Sequence, residues 1–191
     1  MTGIQNTQIT HMSTITHNIV GPAHSKIDLI DVGGTLRTAA MHVAMSNVYD
    51  QFRIRKVTLK FTPANSTVPD SAYTTFFTVF DRNGFAAGVG ASALQTYSSY
   101  KQTAYSGTAS NKAPVHYVSW ENNTLFEKSR YYSTKTKPQA GYVAAGSGLP
   151  APLVAGSDVK LVYNISWTFD ITYRGLRADS SDIADAVGQP E

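Results

Sequence analysis

From Val159 to Tyr173 every second residue is apolar or aromatic: Val159, Leu161, Tyr163, Ile165, Trp167, Phe169, Ile171 and Tyr173. The residues between them are Lys160, Asn164, Ser166, Thr168, Asp170 and Thr172, with Val162 as the one apolar interruption. A period of two held over this length predicts a long strand with one face on a core and the other on something wetter. Strands average about five or six residues, so a strand this long restricts the chain to a large sandwich or barrel. Ile165, Trp167 and Phe169 are the expected centre of the core, with Ser166, Thr168 and Asp170 pointing away.

The remaining segments fit that frame. Gln8 to Val20 has Ile9, Ile15, His17 and Ile19 at odd positions among Thr, Ser and Asn, and reads as a first strand ended by Gly21-Pro22. After Gly33-Gly34, Thr35 is the expected N-cap of a short helix reaching about Asn47, with Leu36, Ala39, Ala40 and Val43 at helical spacing. Tyr49 to Pro63 is a second long strand whose pattern slips. Phe52 and Ile54 are even, whereas Val57, Leu59 and Phe61 are odd. A strand cannot change face without an extra residue, so a β-bulge is expected near Arg55-Lys56. Ala72 to Asp81 is a third strand, closed by the Asn83-Gly84 turn. Gly84 to Ser110 and Lys135 to Pro152 read as long Gly- and Ala-rich loops, with strands expected at Ala113 to Trp120 and Phe126 to Tyr132. The expectation is all-β: a single eight-stranded jelly roll of two packed antiparallel sheets, with long loops and one short helix. Residues 1–177 form this domain and residues 178–191 an acidic tail.

Composition narrows the function. Charged residues are only 15% of the 191, below the usual quarter, which is expected of a surface largely covered by partners. The tail holds Asp179, Asp182, Asp185 and Glu191 and no Lys or Arg, so residues 1–177 carry 16 basic against 9 acidic groups and favour an anionic partner. Cysteine is absent, which excludes disulfides, a thiol nucleophile and Cys-based zinc sites. Met1 to Thr10 contains neither the basic nor the apolar region of a secretory signal, and no run of eighteen apolar residues occurs, so membrane insertion is not expected. The five histidines (His11, His17, His24, His42 and His116) lack metal-ligand spacing, and no phosphate loop or nucleophile elbow is present. No enzyme activity, cofactor or metal is expected.

Two groups stand out as candidate sites. Arg53, Arg55, Lys56 and Lys60 project from the second strand opposite its apolar residues, a row of cations suited to a phosphate backbone. Tyr97, Tyr100 and Tyr105 lie in the long Gly-rich segment and are candidates for a subunit interface, where aromatics are enriched.

Four segments in order carry a family resemblance: Y-D-Q-F-R-I-R-K-V-T-L-K-F-T-P from Tyr49, F-T-V-F-D-R-N-G from Phe77, W-E-N-N-T-L-F-E-K-S-R-Y-Y-S-T-K from Trp120 and W-T-F-D-I-T-Y-R-G-L-R from Trp167. With the first strand and short helix before them, they resemble the capsid proteins of circoviruses and related small circular single-stranded DNA viruses, over roughly Ile15 to Arg177. The resemblance implies a major capsid protein whose sixty copies form a T=1 icosahedral shell around a circular single-stranded DNA genome, bound without sequence preference. It also implies a place in the virion, a stage in the host nucleus during assembly, and a host-cell receptor as a further partner. One departure is plain. That family usually opens with an Arg-rich arm, whereas the first basic residue here is Lys26. Shell formation therefore carries over more directly than genome binding or nuclear targeting. The alternative from another class is a carbohydrate- or ligand-binding, lectin-like jelly roll. It would show a compact acidic calcium site or a concave aromatic platform, and the sequence shows neither.

Overall fold

The long alternating segment becomes the central strand of the larger sheet. In the computed structural model, which describes residues 3–19, 25–66, 73–106, 116–121, 131–148 and 159–176, it spans Val159–Leu176. Among the described residues there are nine strands in all: β1 (Ile4–Ile19), β2 (Ser25–Asp31), β3 (Tyr49–Ser66), β4 (Tyr73–Asp81), β5 (Lys101–Ser106), β6 (His116–Glu121), the two-residue β7 (Tyr132–Ser133), β8 (Tyr142–Gly148) and β9 (Val159–Leu176). One sheet has the order β1-β9-β3-β6, with β7 pairing the start of β3, and the other has the order β2-β8-β4-β5. All pairings are antiparallel. Two four-stranded sheets in these orders make the expected eight-stranded jelly roll, with β7 as an addition.

The apolar rows of β1, β9 and β3 face the second sheet. Ile165, Trp167 and Phe169 are at most 1% exposed, and Phe52, Ile54, Val57, Leu59 and Phe61 are buried beside them. Trp167 satisfies its one polar atom at the edge of this core, where Nε1 donates to Ser13 Oγ at 2.8 Å. The expected bulge is present. Ile54 pairs with Ile171 and Lys56 with Asp170, leaving Arg55 as the extra residue, and so both apolar sets of β3 face the core.

The second sheet departs from the sequence reading. β2, β5 and β8 all fall outside the strands expected, and β5 and β8 occupy segments read as loop. The cause is coverage of both faces. Phe76 points into the main core, whereas Phe77 and Val79 point outward onto a second cluster with Leu94 and Ala144. That cluster is roofed by residues 82–100, which include a one-turn helix at Ala91–Leu94. β8 (YVAAGSG) consists mostly of small residues because large neighbours lie over it. Its Gly146 sits opposite Phe77, and a Cβ there would come within 2.1 Å of the Phe77 ring.

The expected single helix is two. α1 (Val32–Thr38) ends at Ala39, whose extended backbone starts α2 (Ala40–Val48) at an angle. Thr35 is not the N-cap. Asp31 is: its Oδ1 accepts from Gly34 N at 3.0 Å, while Thr35 Oγ1 donates back to the Asp31 carbonyl at 3.0 Å. A carboxylate at the strand end offers the first free N–H groups a better acceptor than a hydroxyl one turn later. Gly33 is required by contact, because a Cβ there would lie 2.1 Å from the Pro138 carbonyl oxygen. Of the strand expected from Phe126 to Tyr132, only the end lies among the described residues, and the acidic tail lies outside them. Among the described residues no helix is long and apolar enough to cross a membrane.

Candidate nucleic-acid interface

The face of the β1-β9-β3-β6 sheet that points away from the core carries the cationic row. Register fixes the neighbours. Across β3 and β9, Arg53 pairs with Thr172, Lys56 with Asp170, Thr58 with Thr168 and Lys60 with Ser166. Across β3 and β6, Lys56 pairs with Glu121, Thr58 with Ser119 and Lys60 with Tyr117. Residues directly paired in an antiparallel ladder project to the same side, so these side chains share one surface.

Each cation has a distinct setting. Arg53 is half-buried, its guanidinium 5.3 Å from the centre of the Tyr131 ring. Arg174 stacks on the same ring at 3.6 Å and donates from Nε to Gln51 Oε1 at 2.8 Å. Arg55 is exposed at the bulge. Lys56 forms an ion pair with Glu121 at 2.9 Å. Its pKa is raised by that hydrogen bond first and then by the charges of Glu121 and Asp170. Lys60 lies 5.9 Å over the Tyr117 ring. The four expected residues are therefore neighbours along one strand. The structure adds Arg174 and Lys160 from β9, together with the rings of Tyr131 and Tyr117.

Between the cations lies a field of small polar groups. Thr58 and Ser119 are hydrogen-bonded at 3.1 Å, Thr14 donates to Asn164 at 3.2 Å, and Gln8 donates to Asp170 at 3.0 Å. Arg53, Arg55, Lys56, Lys60, Lys160 and Arg174 thus stand with the carboxylates of Asp170 and Glu121 among hydroxyls and amides that can donate to phosphate oxygens. A backbone-tracking groove with aromatic faces needs these groups and no base-specific geometry. Arg174, Lys160 and Tyr117 could have been found from strand parity alone. Tyr131 could not, because it precedes the two-residue β7 and follows no alternation.

The tyrosines singled out as interface candidates are placed differently from the cations. Tyr97 packs on Phe85 at 5.6 Å and Tyr100 stacks on Phe77 at 5.8 Å, so both rings help close the subunit's own second cluster. Both remain partly exposed. Tyr105 pairs with Thr74 through the backbone of β5, and its side chain lies outside the described residues.

Three histidines are core residues. His17 Nδ1 meets Ser147 Oγ at 2.7 Å, His42 Nδ1 meets the Tyr173 hydroxyl at 2.6 Å, and His116 Nδ1 meets Thr78 Oγ1 at 2.9 Å. Burial lowers the pKa of each, to about 4 for His42. Asp28, 3.4 Å from His17 Nε2, works against burial there, whereas Arg37 reinforces it at His42 and Lys101 at His116. Burial also pushes the Tyr173 hydroxyl pKa up. Among the described residues no group of three or more His, Cys, Asp or Glu could hold a metal.

Neither a family model nor a curated protein matches the sequence. Solved structures do match the fold. The chain is similar to mud crab tombus-like virus, with a TM-score of 0.61 and 11% identity over 98% of this chain and 88% of that one. It is similar to the same degree (TM-score 0.61, 10% identity, 93% and 96% covered) to the nodavirus of the giant freshwater prawn Macrobrachium rosenbergii. The BFDV capsid protein, solved as a 60-mer, gives a TM-score of 0.57 at 10% identity over 93% of this chain and 97% of that one. The fold is that of viral capsid jelly rolls.

Proposed function

We propose that the chain is the shell-forming subunit of a small circular single-stranded DNA virus of the circovirus-like kind, acting by assembly and not by catalysis. One observation carries the reading. The two-sheet topology matches virus shell subunits over nearly the whole chain, one of them solved as a 60-mer. The choice of genome rests on the four collinear segments, because the fold likeness runs to nodavirus and tombus-like virus as well. In this reading sixty copies close a T=1 shell, the 82–106 segment with Tyr97, Tyr100 and Tyr105 contributes to contacts between copies, and Arg53, Arg55, Lys56 and Lys60 face the packaged strand. Closed symmetry would also cover the long open edge of β1.

Size-exclusion chromatography and negative-stain imaging of the purified protein, with nuclease digestion of any particle, test this together. Closed particles that protect single-stranded DNA are expected. A single monomer peak at every salt and protein concentration would overturn shell formation, and particles holding only RNA would overturn the choice of genome.

A further inference from the structure

At one end of the sandwich the two sheets part around a cavity of about 540 Å³. Its walls come from both sheets. Tyr132 belongs to β7, whereas Asp31 and Tyr142 are register partners at the end of β2 and β8, and Arg82-Asn83 follow β4. The walls are held in place. Val32 N donates to the Gly141 carbonyl at 3.2 Å, and Asn83 N and Gly84 N both donate to Asp81 Oδ1, at 2.7 and 3.1 Å. Lys137 lies 6.0 Å from the centre of the Tyr142 ring and is ion-paired with Asp31.

The charge in this cavity is uneven. Arg82 and Lys137 line it against the single carboxylate of Asp31, and one oxygen of that carboxylate is already engaged in capping α1. The hydrogen bond to Asp31 raises the Lys137 pKa, while the nearby charge of Arg37 opposes it. Two cations and two tyrosines around a fixed polar floor suit a flexible acidic segment with a few apolar side chains.

The chain contains such a segment, and it leaves the fold at this end. Residues 178–191 hold Asp179, Asp182, Asp185 and Glu191, no Lys or Arg, and the apolar Ile183 and Val187. β9 delivers the chain to Leu176 beside Tyr49, at the start of β3, and β7 with Tyr132 pairs the other side of that start. From β9 to β7 is two strand spacings, roughly 10 Å. Fourteen residues can extend to roughly 45 Å, so the reach is ample.

We propose that the acidic segment from Ala178 to Glu191 folds back within its own subunit and docks in this cavity. Its carboxylates face Arg82 and Lys137, and Ile183 and Val187 lie against the tyrosines. A contact held by charge between tethered groups is a latch. It forms at high effective concentration and yields to salt or to a competing surface of another copy.

The absence of cysteine makes the test direct. In the full chain, Gln139→Cys at the cavity wall is combined with Ile183→Cys, and disulfide formation under mild oxidant is followed on non-reducing gels. The control pair is Thr14→Cys, exposed on the outward face of β1, with Ile183→Cys. Circular dichroism and melting that match the parent establish that each variant is folded. The intrachain product of the cavity pair should form about tenfold or more faster than that of the control. Arg82→Gln, or salt raised from roughly 0.05 to roughly 0.5 M, should remove most of that advantage. Equal rates for the two pairs, or an advantage insensitive to both Arg82→Gln and salt, would overturn the docking. A predominantly interchain product would move the segment onto a neighbouring copy and overturn the fold-back.

Discussion

At the scale of single residues, His42 couples the fold to pH. Its ring lies in edge contact with Phe52 at 4.7 Å and hydrogen-bonds the Tyr173 hydroxyl, and burial holds its pKa at about 4 against an ordinary value of 6.5. Between those values the unfolded chain binds the proton that the folded chain refuses, so stability rises with pH through this window. It is fully present above about 6.5 and is lost as pH falls toward about 4. His42 alone contributes roughly 3 kcal/mol to that slope, and His17 and His116 add to it in the same direction. Urea unfolding should show a falling midpoint from pH 6.5 downward. His42→Gln should be less stable at neutral pH but visibly flatter with pH, and an unchanged slope would remove His42 from the account. Trp167 offers a second residue-scale prediction. It is stacked on Phe169 at 5.6 Å and 1% exposed, so Trp167→Ala should cost roughly 3–5 kcal/mol. Ser166→Ala, on the opposite face, should cost under about 0.5 kcal/mol in the same melts.

At the scale of elements, legibility in the sequence follows exposure. β1, β3 and β9 each keep one face on the core and one on polar surroundings, so period two survives in the residues and even the bulge at Arg55 can be read. β4 and β8 are covered on both sides, by the main core and by the 82–100 segment, and a doubly covered strand need not alternate. β8 reads as a loop because its Gly and Ala make room for aromatic neighbours, a reason that exists only in three dimensions. Helical spacing counted from Leu36 points to Thr35 as the cap, whereas the helix begins directly at the strand end and Asp31 caps it. The Phe77–Gly146 pair turns this into a prediction. Gly146→Ala would drive a methyl into the Phe77 ring and should cost roughly 1–3 kcal/mol. Adding Phe77→Leu should recover part of that loss, measured as a positive coupling in a double-mutant cycle. Strictly additive losses would mean that Phe77 is not what excludes a side chain at Gly146.

At the scale of the whole molecule, the distribution of charge joins the fold to its proposed work. Parity along β3 reveals half of the candidate face, and register across the sheet supplies the rest: Arg174, Lys160 and Tyr117 arrive from strands distant in sequence. The cations differ in their commitments. Arg53 is packed against Tyr131 and Lys56 is paired with Glu121, so substitution there disturbs local structure as well as charge. Arg55 and Lys160 are exposed, and neutralising them tests the surface with least risk to the fold. For single-stranded nucleic acid, each phosphate that a protein neutralises adds about 0.7 to the slope of log affinity against log salt. The double variant Arg55→Gln with Lys160→Gln should therefore flatten the slope by about 1.4, leave the melting temperature unchanged, and lower the nucleic acid retained by any particles. Binding should remain independent of base sequence, because the face presents cations, hydroxyls and aromatic rings without a groove-reading element. An unchanged salt slope with intact folding would place the phosphate contacts elsewhere on the molecule and detach the row from Arg53 to Lys60 from genome binding, while leaving the shell-forming reading to its own test.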